Sequence, residues 1–479
     1  MSFSLGTDGW RGVIADGCTF EAVRRVAASM ARLYAGNVWP GDRSRIVVGH
    51  DTRFFSPEFA RAAAVVFARA GIDVLLTDRP IPTPAVSHHV RRLGLAAGVA
   101  ITASHNPAHW NGFKIKASFG GSAPPEQYAE VDRGLSRGNP APEARRPGAI
   151  ETADLATPYR EHLASLLDVS AIKEAGLILL ADAMHGAGGT LIADIAGGGR
   201  TRVVSFRGER DVLFGGVQPE PIARNLAASA ARVVELRAGL AVANDGDADR
   251  LGVLDRRGRF VSPHRVLALL LVHAFRRRGL KGGIAKTFST SLLIDRVAKA
   301  LGCPLVETSI GFKYIAERMM RGEASAGGEE SGGYAFAFHL PERDGVLNAL
   351  LLIESLALSG RDLDGALADL AREFGEFAYD RRDVSLPVGV IGEFLAAVKD
   401  HAPGTVSGNR VTGIEGKDGI KYVLGDRGWL LHRLSGTEPM IRLYCEHEDE
   451  AAVQRILDEA HARLVAFAAS RGATPGAHG

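Results

Sequence analysis

The loop "NDGDADR" sets Asp245, Asp247 and Asp249 at alternate positions directly after the apolar run "GLAVA". Three carboxylates within about 5 Å of one another repel by roughly 3 kcal/mol per pair at an effective dielectric of about 20, so a positive charge must offset them. A hard divalent cation with oxygen ligands does this, and Mg²⁺ is the natural choice where a phosphate completes the shell. An EF-hand is excluded: it needs glycine at the sixth loop position and glutamate at the twelfth, where this chain has Arg250 and Arg256. The bland alternative is a solvated acidic turn, against which stand glycine and alanine spacers small enough for the chain to wrap an ion.

Three further stretches could do chemistry. "ITASHNPAHWNGFK" holds Ser104 beside His105, with Lys114 close behind; the serine alone is an ordinary loop residue, and its neighbours only hint at an electrostatic role. "GGEESGG" brackets Glu329, Glu330 and Ser331 with glycines, which suits close approach to a ligand and equally a flexible surface loop. "RLSGTEPMIRLY" gathers Arg433, Ser435, Gly436, Thr437 and Arg442 around a turn between strands. That is a donor set for a phosphate dianion, or a structural turn with paired arginines. Two lures fail. "GLSRG" at 134–138 matches a nucleophile elbow, but no strand precedes it. "HGAGGT" resembles a dinucleotide loop, yet Leu191 replaces its third glycine, and no P-loop GK[ST] occurs. His88 and His89 read as residues on a helix surface.

The elements that must position these loops alternate strand and helix. "RIVVGHDTR" predicts a strand, and "SPEFARAAAVVFARAG" a helix with Ser56 as cap, Pro57 at the first position and Gly71 as stop. "IDVLLT" and "LAAGVAIT" follow as strands. The alternation predicts an α/β protein with a largely parallel or mixed sheet. The same unit recurs three times: an apolar strand with a polar or glycine-rich turn ("VVGHDTR", "LILLADAMHGAGG", "GGIAKTFSTS"), a helix, then a strand ending in a reactive loop. The boundaries fall near residues 145, 255 and 375. The last block reads as strands followed by one long amphipathic helix over about Glu450 to Ser470, with a frayed tail, "RGATPGAHG".

At 479 residues the chain exceeds a single core and implies three or four domains. With 46% apolar and 23% charged residues it is neither disordered nor a disulfide scaffold, and a net charge of +2 excludes a long basic surface for nucleic acid. Cys18, Cys303 and Cys445 are far apart and odd in number, which predicts reduced thiols and no zinc site. The start lacks a signal-peptide pattern, and the longest apolar run, "VLALLLV", is too short to span a bilayer. A soluble cytoplasmic protein is expected, monomeric by default, with no membrane, nucleic-acid or protein partner.

Taken together and in order, "GTDGWRG", "TASHNP…NGFK", "DGDADR", "GEESGG" and "RLSGTEP…IR" resemble the α-D-phosphohexomutase superfamily, the phosphoglucomutases and phosphomannomutases, over essentially the full length. The resemblance implies three related α/β domains with mixed sheets and a smaller C-terminal α+β domain around a central cleft, here 1–145, 146–255, 256–375 and 376–479. It makes Ser104 the residue that gives a phosphoryl group to the substrate and takes one back, with a phosphoserine oxygen and Asp245, Asp247 and Asp249 holding Mg²⁺. Arg11, His105 and Lys114 would then add positive charge, with Lys114 as general acid/base. Arg250 would orient the reacting phosphate or hydroxyl. Glu329 and Ser331 would bind sugar hydroxyls, with Thr308, Gly311 and Lys313 near the ring. Arg433, Ser435, Gly436, Thr437 and Arg442 would grip the distal phosphate.

Two departures bear on the sugar. Dual mannose/glucose members often end the sugar loop in histidine, where this chain has Gly333; the position before Asp344-Gly345 is often lysine, and here is Arg343. Arg343 can bind a phosphate but is a poor proton shuttle. The expectation is an isomerase-class intramolecular phosphotransferase, a Mg²⁺-dependent phosphoglucomutase that interconverts glucose 1-phosphate and glucose 6-phosphate through glucose 1,6-bisphosphate. Phosphomannomutase and phosphoglucosamine mutase are the near alternatives. A metal-dependent sugar phosphatase and a non-catalytic sugar-phosphate sensor are alternatives from other classes.

Overall fold

A computed structural model describes residues 9–36, 38–136, 142–435, 439–474 and 476–477. Its first sheet runs Trp10–Val13, Trp110–Ala117, Ala97–Ile101, Arg45–His50, Asp73–Thr77, Ile150–Ala153. Arg45–His50 is parallel to both Asp73–Thr77 and Ala97–Ile101, and the latter returns antiparallel as Trp110–Ala117. The scheme recurs around Ile178–Asp182, parallel to Arg202–Phe206 and Leu240–Asn244, with Leu251–Asp255 antiparallel to the last. It recurs again around Ile284–Thr287, parallel to Leu305–Thr308 and Ala326–Gly328, with Tyr334–Phe336 returning. The inner strands are apolar runs: Ala97–Ile101 and Leu240–Asn244 are buried throughout, as strands covered on both faces must be.

The three returning hairpins are therefore equivalent, and their loops carry Ser104, the three aspartates and Glu329–Ser331 respectively. The fourth unit differs. Its sheet is antiparallel, in the order Gly413–Glu415, Ile420–Val423, Gly428–Leu434, Met440–His447, Ala378–Ser385, Gly476–Ala477. Helices Val388–Asp400 and Glu450–Ser470 pack on it through a core that includes Ile391, Phe394, Ile441, Leu443, Ile456 and Leu464. The architecture is the expected one: three related α/β units with mixed sheets and a smaller α+β unit.

The second and third units share a core threaded by the helix Gly345–Ser359, whose Leu350, Leu351 and Ile353 lie in one cluster with Leu179, Val242 and Ile284. Each such buried side chain stabilises the fold by about 1.5–3 kcal/mol. Asp344 caps this helix by accepting the Leu347 N–H at 2.9 Å, so the preceding Arg343 is held on a rigid element. The apolar run 266–272 lies in the buried helix Pro263–Val272, and among the described residues no helix is long and apolar enough to cross a membrane. All three cysteines are free thiols.

Three expectations are corrected. His88 and His89 are buried, because the helix Thr83–Arg92 packs against Ala156–Ser165 of the second unit as well as its own sheet. Ser56 is not the cap of Ser56–Arg69; it is the first helical residue, and its hydroxyl donates to Asp51 Oδ1 at 2.6 Å. Pro57 is therefore second in the helix, while Gly71 stops it as expected: it follows the C-cap Ala70 at φ +82°, its N–H donates to the Ala68 carbonyl at 2.9 Å, and the Ile72 N–H donates to the Phe67 carbonyl at 3.1 Å. The tail is not wholly frayed, since Gly476–Ala477 pairs with Ser385 and Val384 on a sheet edge.

Candidate active site

Ser104 follows Ala97–Ile101 through Thr102 and Ala103 and takes φ +52°, left-handed and unfavourable for a residue with a Cβ. It is 1% exposed, and its Oγ donates to Asp245 Oδ2 at 2.9 Å, so the first and second hairpin loops touch at the predicted residues. Gly246 makes this approach possible: a Cβ there would lie 2.5 Å from the Ser104 carbonyl oxygen. In the aspartate loop, Asp245 Oδ1 accepts the N–H groups of Asp249 at 2.9 Å and Arg250 at 3.0 Å, and Ala248 sits at φ +59°. The turn aims all three carboxylates at one point, with ligand oxygens within 4.8 Å of one another.

Lys114 comes from the returning strand Trp110–Ala117, opposite Ala100. It is fully buried and donates to Asp247 Oδ2 at 2.8 Å and Asp249 Oδ2 at 3.3 Å. Its ammonium therefore lies against two carboxylates. Thr83 Oγ1 also donates to Asp247 Oδ2, at 2.7 Å. Burial, with Asp249 and Asp247 adding to it, pushes Asp245 well above the usual carboxylate range. Burial opposes ionisation of Asp247 too, but Lys114 and Thr83 outweigh it and hold that carboxyl well below the usual range. Asp247 Oδ1 and Asp249 Oδ1 are buried without hydrogen-bond partners. An oxygen cluster with orphaned lone pairs and one group that resists ionising fits a hard dication such as Mg²⁺.

Above this floor opens a cleft of about 2220 Å³, to which all four units contribute; its lining includes Arg11, His105, Arg250, Gly311, Lys313, Glu329, Ser331, Arg343 and Arg442. Arg11 donates to Asn106 Oδ1 at 2.7 Å. His105 is partly buried; lost hydration, then Arg250, Arg11 and Lys114, push its imidazole well below the ordinary histidine range. It is therefore a neutral hydrogen-bonding group here, not the fixed cation expected. Arg250 faces Glu220 at 3.4 Å.

In the third loop Glu329 is buried, and burial pushes its carboxyl up to about 7, with Arg343 opposing. Ser331 Oγ is buried without a partner. Arg343 reaches Asp249 Oδ2 at 2.8 Å and Glu329 Oε2 at 3.7 Å. A Cβ on Gly333 would lie 2.3 Å from Arg343 Cδ, so the two departures noted in the sequence form one packing unit: the arginine stem fills the space a side chain at 333 would need. Thr308 is buried at the end of the edge strand Leu305–Thr308, donating to the Ser309 carbonyl at 3.0 Å, while Gly311, at φ +129°, precedes the helix Phe312–Met320.

In the fourth unit Arg433 and Arg442 are directly opposed on neighbouring antiparallel strands and so share a face. Asp418 holds Arg433 at 2.8 Å, and the Ser435 N–H donates to the Met440 carbonyl at 2.9 Å. Gly436 and Thr437 lie outside the described residues. Sequence reasoning missed the residues behind the loops: Asp51, Arg53, Thr83 and Thr102, and Gln218, which donates to the His105 carbonyl at 3.0 Å. The only signal was "HDTR" at a strand end, which also suits a plain turn.

Comparison with known proteins agrees with this geometry. Residues 2–140, 157–258 and 262–374 match the descriptions "Phosphoglucomutase/phosphomannomutase, alpha/beta/alpha domain" I, II and III, and 393–462 match the C-terminal domain of the same family. A phosphoglucomutase/phosphomannomutase of Thermococcus kodakarensis is 30% identical over 96% of this chain and 97% of its own. The chain belongs to the phosphoglucomutase/phosphomannomutase family. Members of this family are isomerase-class phosphotransferases that depend on magnesium. A phosphoglucosamine mutase of Halorhodospira halophila is 31% identical over 95% of the chain and 94% of its own length. The crystal structure of a protein described as a putative phosphomannomutase from Thermus thermophilus superposes with a TM-score of 0.85 at 36% identity, covering 97% of this chain and 99% of that one.

Proposed function

We propose that this phosphohexomutase is a phosphoglucomutase, interconverting α-D-glucose 1-phosphate and glucose 6-phosphate through a phosphate carried on Ser104 and a glucose 1,6-bisphosphate intermediate. The observation that carries this reading is the 2.9 Å hydrogen bond from Ser104 Oγ to Asp245 Oδ2, which puts a hydroxyl of one unit on the carboxylate cluster of the next. Mg²⁺ held by Asp245, Asp247, Asp249 and a phosphate oxygen on Ser104 would neutralise charge on the transferring phosphoryl group. Arg11 and Arg250 steady the other phosphate oxygens, and His105 contributes a hydrogen bond. For Lys114 to take the proton of the attacking sugar hydroxyl, its Nζ must leave Asp247 and Asp249 and first give up a proton of its own, since only the neutral amine accepts one. The bond from phosphorus to Ser104 Oγ breaks as the bond to the sugar oxygen forms.

Glu329 and Ser331 pair with sugar hydroxyls, with Gly311 and Lys313 beside the ring. Arg433, Ser435, Gly436, Thr437 and Arg442 hold the far phosphate by charge-assisted hydrogen bonds. The bisphosphate then turns within the cleft, so that its other phosphate returns to Ser104. Preference for glucose rests on the Gly333–Arg343 unit, in which glycine stands where dual-specificity enzymes often have histidine and the stem of Arg343, close to Glu329, fills the space beside it. The Halorhodospira relative favours a second reading, phosphoglucosamine mutase.

Peptide mass analysis should find phosphate on Ser104, and Ser104→Ala should abolish turnover. Comparison of kcat/KM for glucose, mannose and glucosamine 1-phosphates decides the sugar; a preference of about tenfold or more for either of the other two sugars overturns the glucose assignment. Release of inorganic phosphate at the rate of sugar-phosphate turnover would instead mark a phosphatase.

A further inference from the structure

Arg53 is an arginine with no exposure at all, and its guanidinium serves one loop. Nη2 donates to the carbonyls of Ser104 and Asn106, both at 2.6 Å; Nη1 donates to those of Pro107 at 2.8 Å and Trp110 at 3.1 Å. Its Nε lies 3.1 Å from Asp51 Oδ2. That carboxylate oxygen also accepts the Thr102 hydroxyl at 2.6 Å, and Thr102 Oγ1 accepts the Ser104 N–H at 2.8 Å. Both backbone polar groups of the left-handed Ser104 are therefore tied to one buried ion pair: the carbonyl directly, the N–H through Thr102. The second unit closes over this pair. Phe214 covers the guanidinium with its ring centroid at 4.9 Å, and Arg210 donates to the Thr52 and Arg53 carbonyls at 2.9 and 3.1 Å.

We propose that Arg53, acting with Asp51 and Thr102, is a positioning residue for phosphoryl transfer: it fixes the strained peptide of Ser104 so that Oγ is aimed at the aspartate loop. The inference rests on Ser104 being the phosphoryl carrier. Free rotation of that peptide would swing Oγ off Asp245, and a displacement of about 1 Å in a reacting group costs on the order of a hundredfold in rate. The effect falls on kcat, because Arg53 is walled off from substrate and leaves the far-phosphate and sugar contacts untouched.

The test measures kcat and KM for α-D-glucose 1-phosphate, with kcat normalised to the fraction of Ser104 phosphorylated by glucose 1,6-bisphosphate, in wild type, Arg53→Lys, Thr102→Val and Thr102→Ser. Arg53→Lys keeps the charge but cannot fan out to four carbonyls, and should lose about a hundredfold in kcat with KM within about threefold. Thr102→Val should lose roughly tenfold, and Thr102→Ser, which restores the hydroxyl, should stay within about twofold of wild type. If Arg53→Lys does not fold, the Thr102 pair decides, since both of its variants alter packing and only one removes the hydroxyl. Phosphorylated variants that turn over at the wild-type rate, or equal losses in Thr102→Val and Thr102→Ser, overturn the inference while Ser104 keeps its role. A wild-type Ser104 that accepts no phosphate overturns the reading beneath it, and the inference falls with it.

Discussion

Lys114 is a cation already set among the carboxylates proposed to hold Mg²⁺. Its ammonium already neutralises Asp247 and Asp249, so Mg²⁺ binding competes with an internal ion. Lys114→Met should therefore act in two opposite directions. Without metal, removing one partner of a buried ion-paired group costs about 3–5 kcal/mol, and the thermal transition should fall accordingly. With Mg²⁺ the dication takes over the neutralisation, so calorimetry should show tighter metal binding than in wild type and a larger rise in Tm on adding MgCl₂. Turnover should still be lost with the proton acceptor. Weaker Mg²⁺ binding by the variant would show that Lys114 helps assemble the metal site instead of competing for it. The aspartates were legible because the small spacers between them carry their own physical reason, whereas Ser104 stood out only through the resemblance, its neighbours suiting an ordinary loop as well. Arg53 was not, because a buried arginine in "HDTR" looks like a surface one until the four carbonyls it serves are brought together by the fold. The exclusion of a side chain at 333 by Arg343 was hidden for the same reason: the two residues lie ten apart in sequence and touch only through the hairpin.

Among elements, the repeated strand-helix unit was legible from alternating apolar runs and turns, and it put the three reactive loops at one topological position. The helix Thr83–Arg92 was read less well, since its outer face is covered by a helix of another unit. There His88 stacks on His162 at 4.3 Å, and His162 on His339 at 5.1 Å, so three units meet through histidine rings. His162 Nε2 bonds His339 Nδ1 at 3.0 Å, and His339 Nε2 bonds Asp344 at 3.0 Å. Burial, then His162, His89, His339 and Arg92, push the His88 imidazole down to about 3. The unfolded chain binds a proton there near pH 6.5 while the folded chain does not, so His88 supports the fold fully above about pH 6.5 and progressively less as pH falls toward about 3. Each pH unit in that window costs up to about 1.4 kcal/mol for this histidine. Denaturant titrations between pH 5 and 7 should show stability rising with pH, and His88→Gln should reduce the slope by about one proton. An unchanged slope would mean that His88 is already charged in the folded state.

At the scale of the molecule, the reading requires the bisphosphate to stay in the cleft while it turns end for end. The aspartate loop and the proposed far-phosphate grip belong to different units, and Asp418 joins Arg433 to the third unit. It accepts the Ile310 N–H at 2.8 Å, beside Gly311, and holds Arg433 at 2.8 Å. Glu307 takes Lys417 at 3.2 Å and Lys421 at 3.4 Å, and Arg296 takes Glu448 at 2.7 Å, so the third and fourth units are stitched by ion pairs. In this reading, retention of an intermediate with a phosphate dianion at each end depends on contacts at both ends, and Arg442 would supply one at the far phosphate. Arg442→Ala should raise KM by roughly 10- to 100-fold, the worth of a charge-assisted hydrogen bond to phosphate. It should also let bisphosphate escape before rephosphorylating Ser104, so that turnover stalls with a dephosphorylated serine and recovers when glucose 1,6-bisphosphate is added. Chromatography of the reaction mixture counts escaped bisphosphate per turnover. A variant with raised KM but no more escape than wild type would show that the floor alone retains the intermediate, and that the fourth unit recruits substrate without guarding the turn.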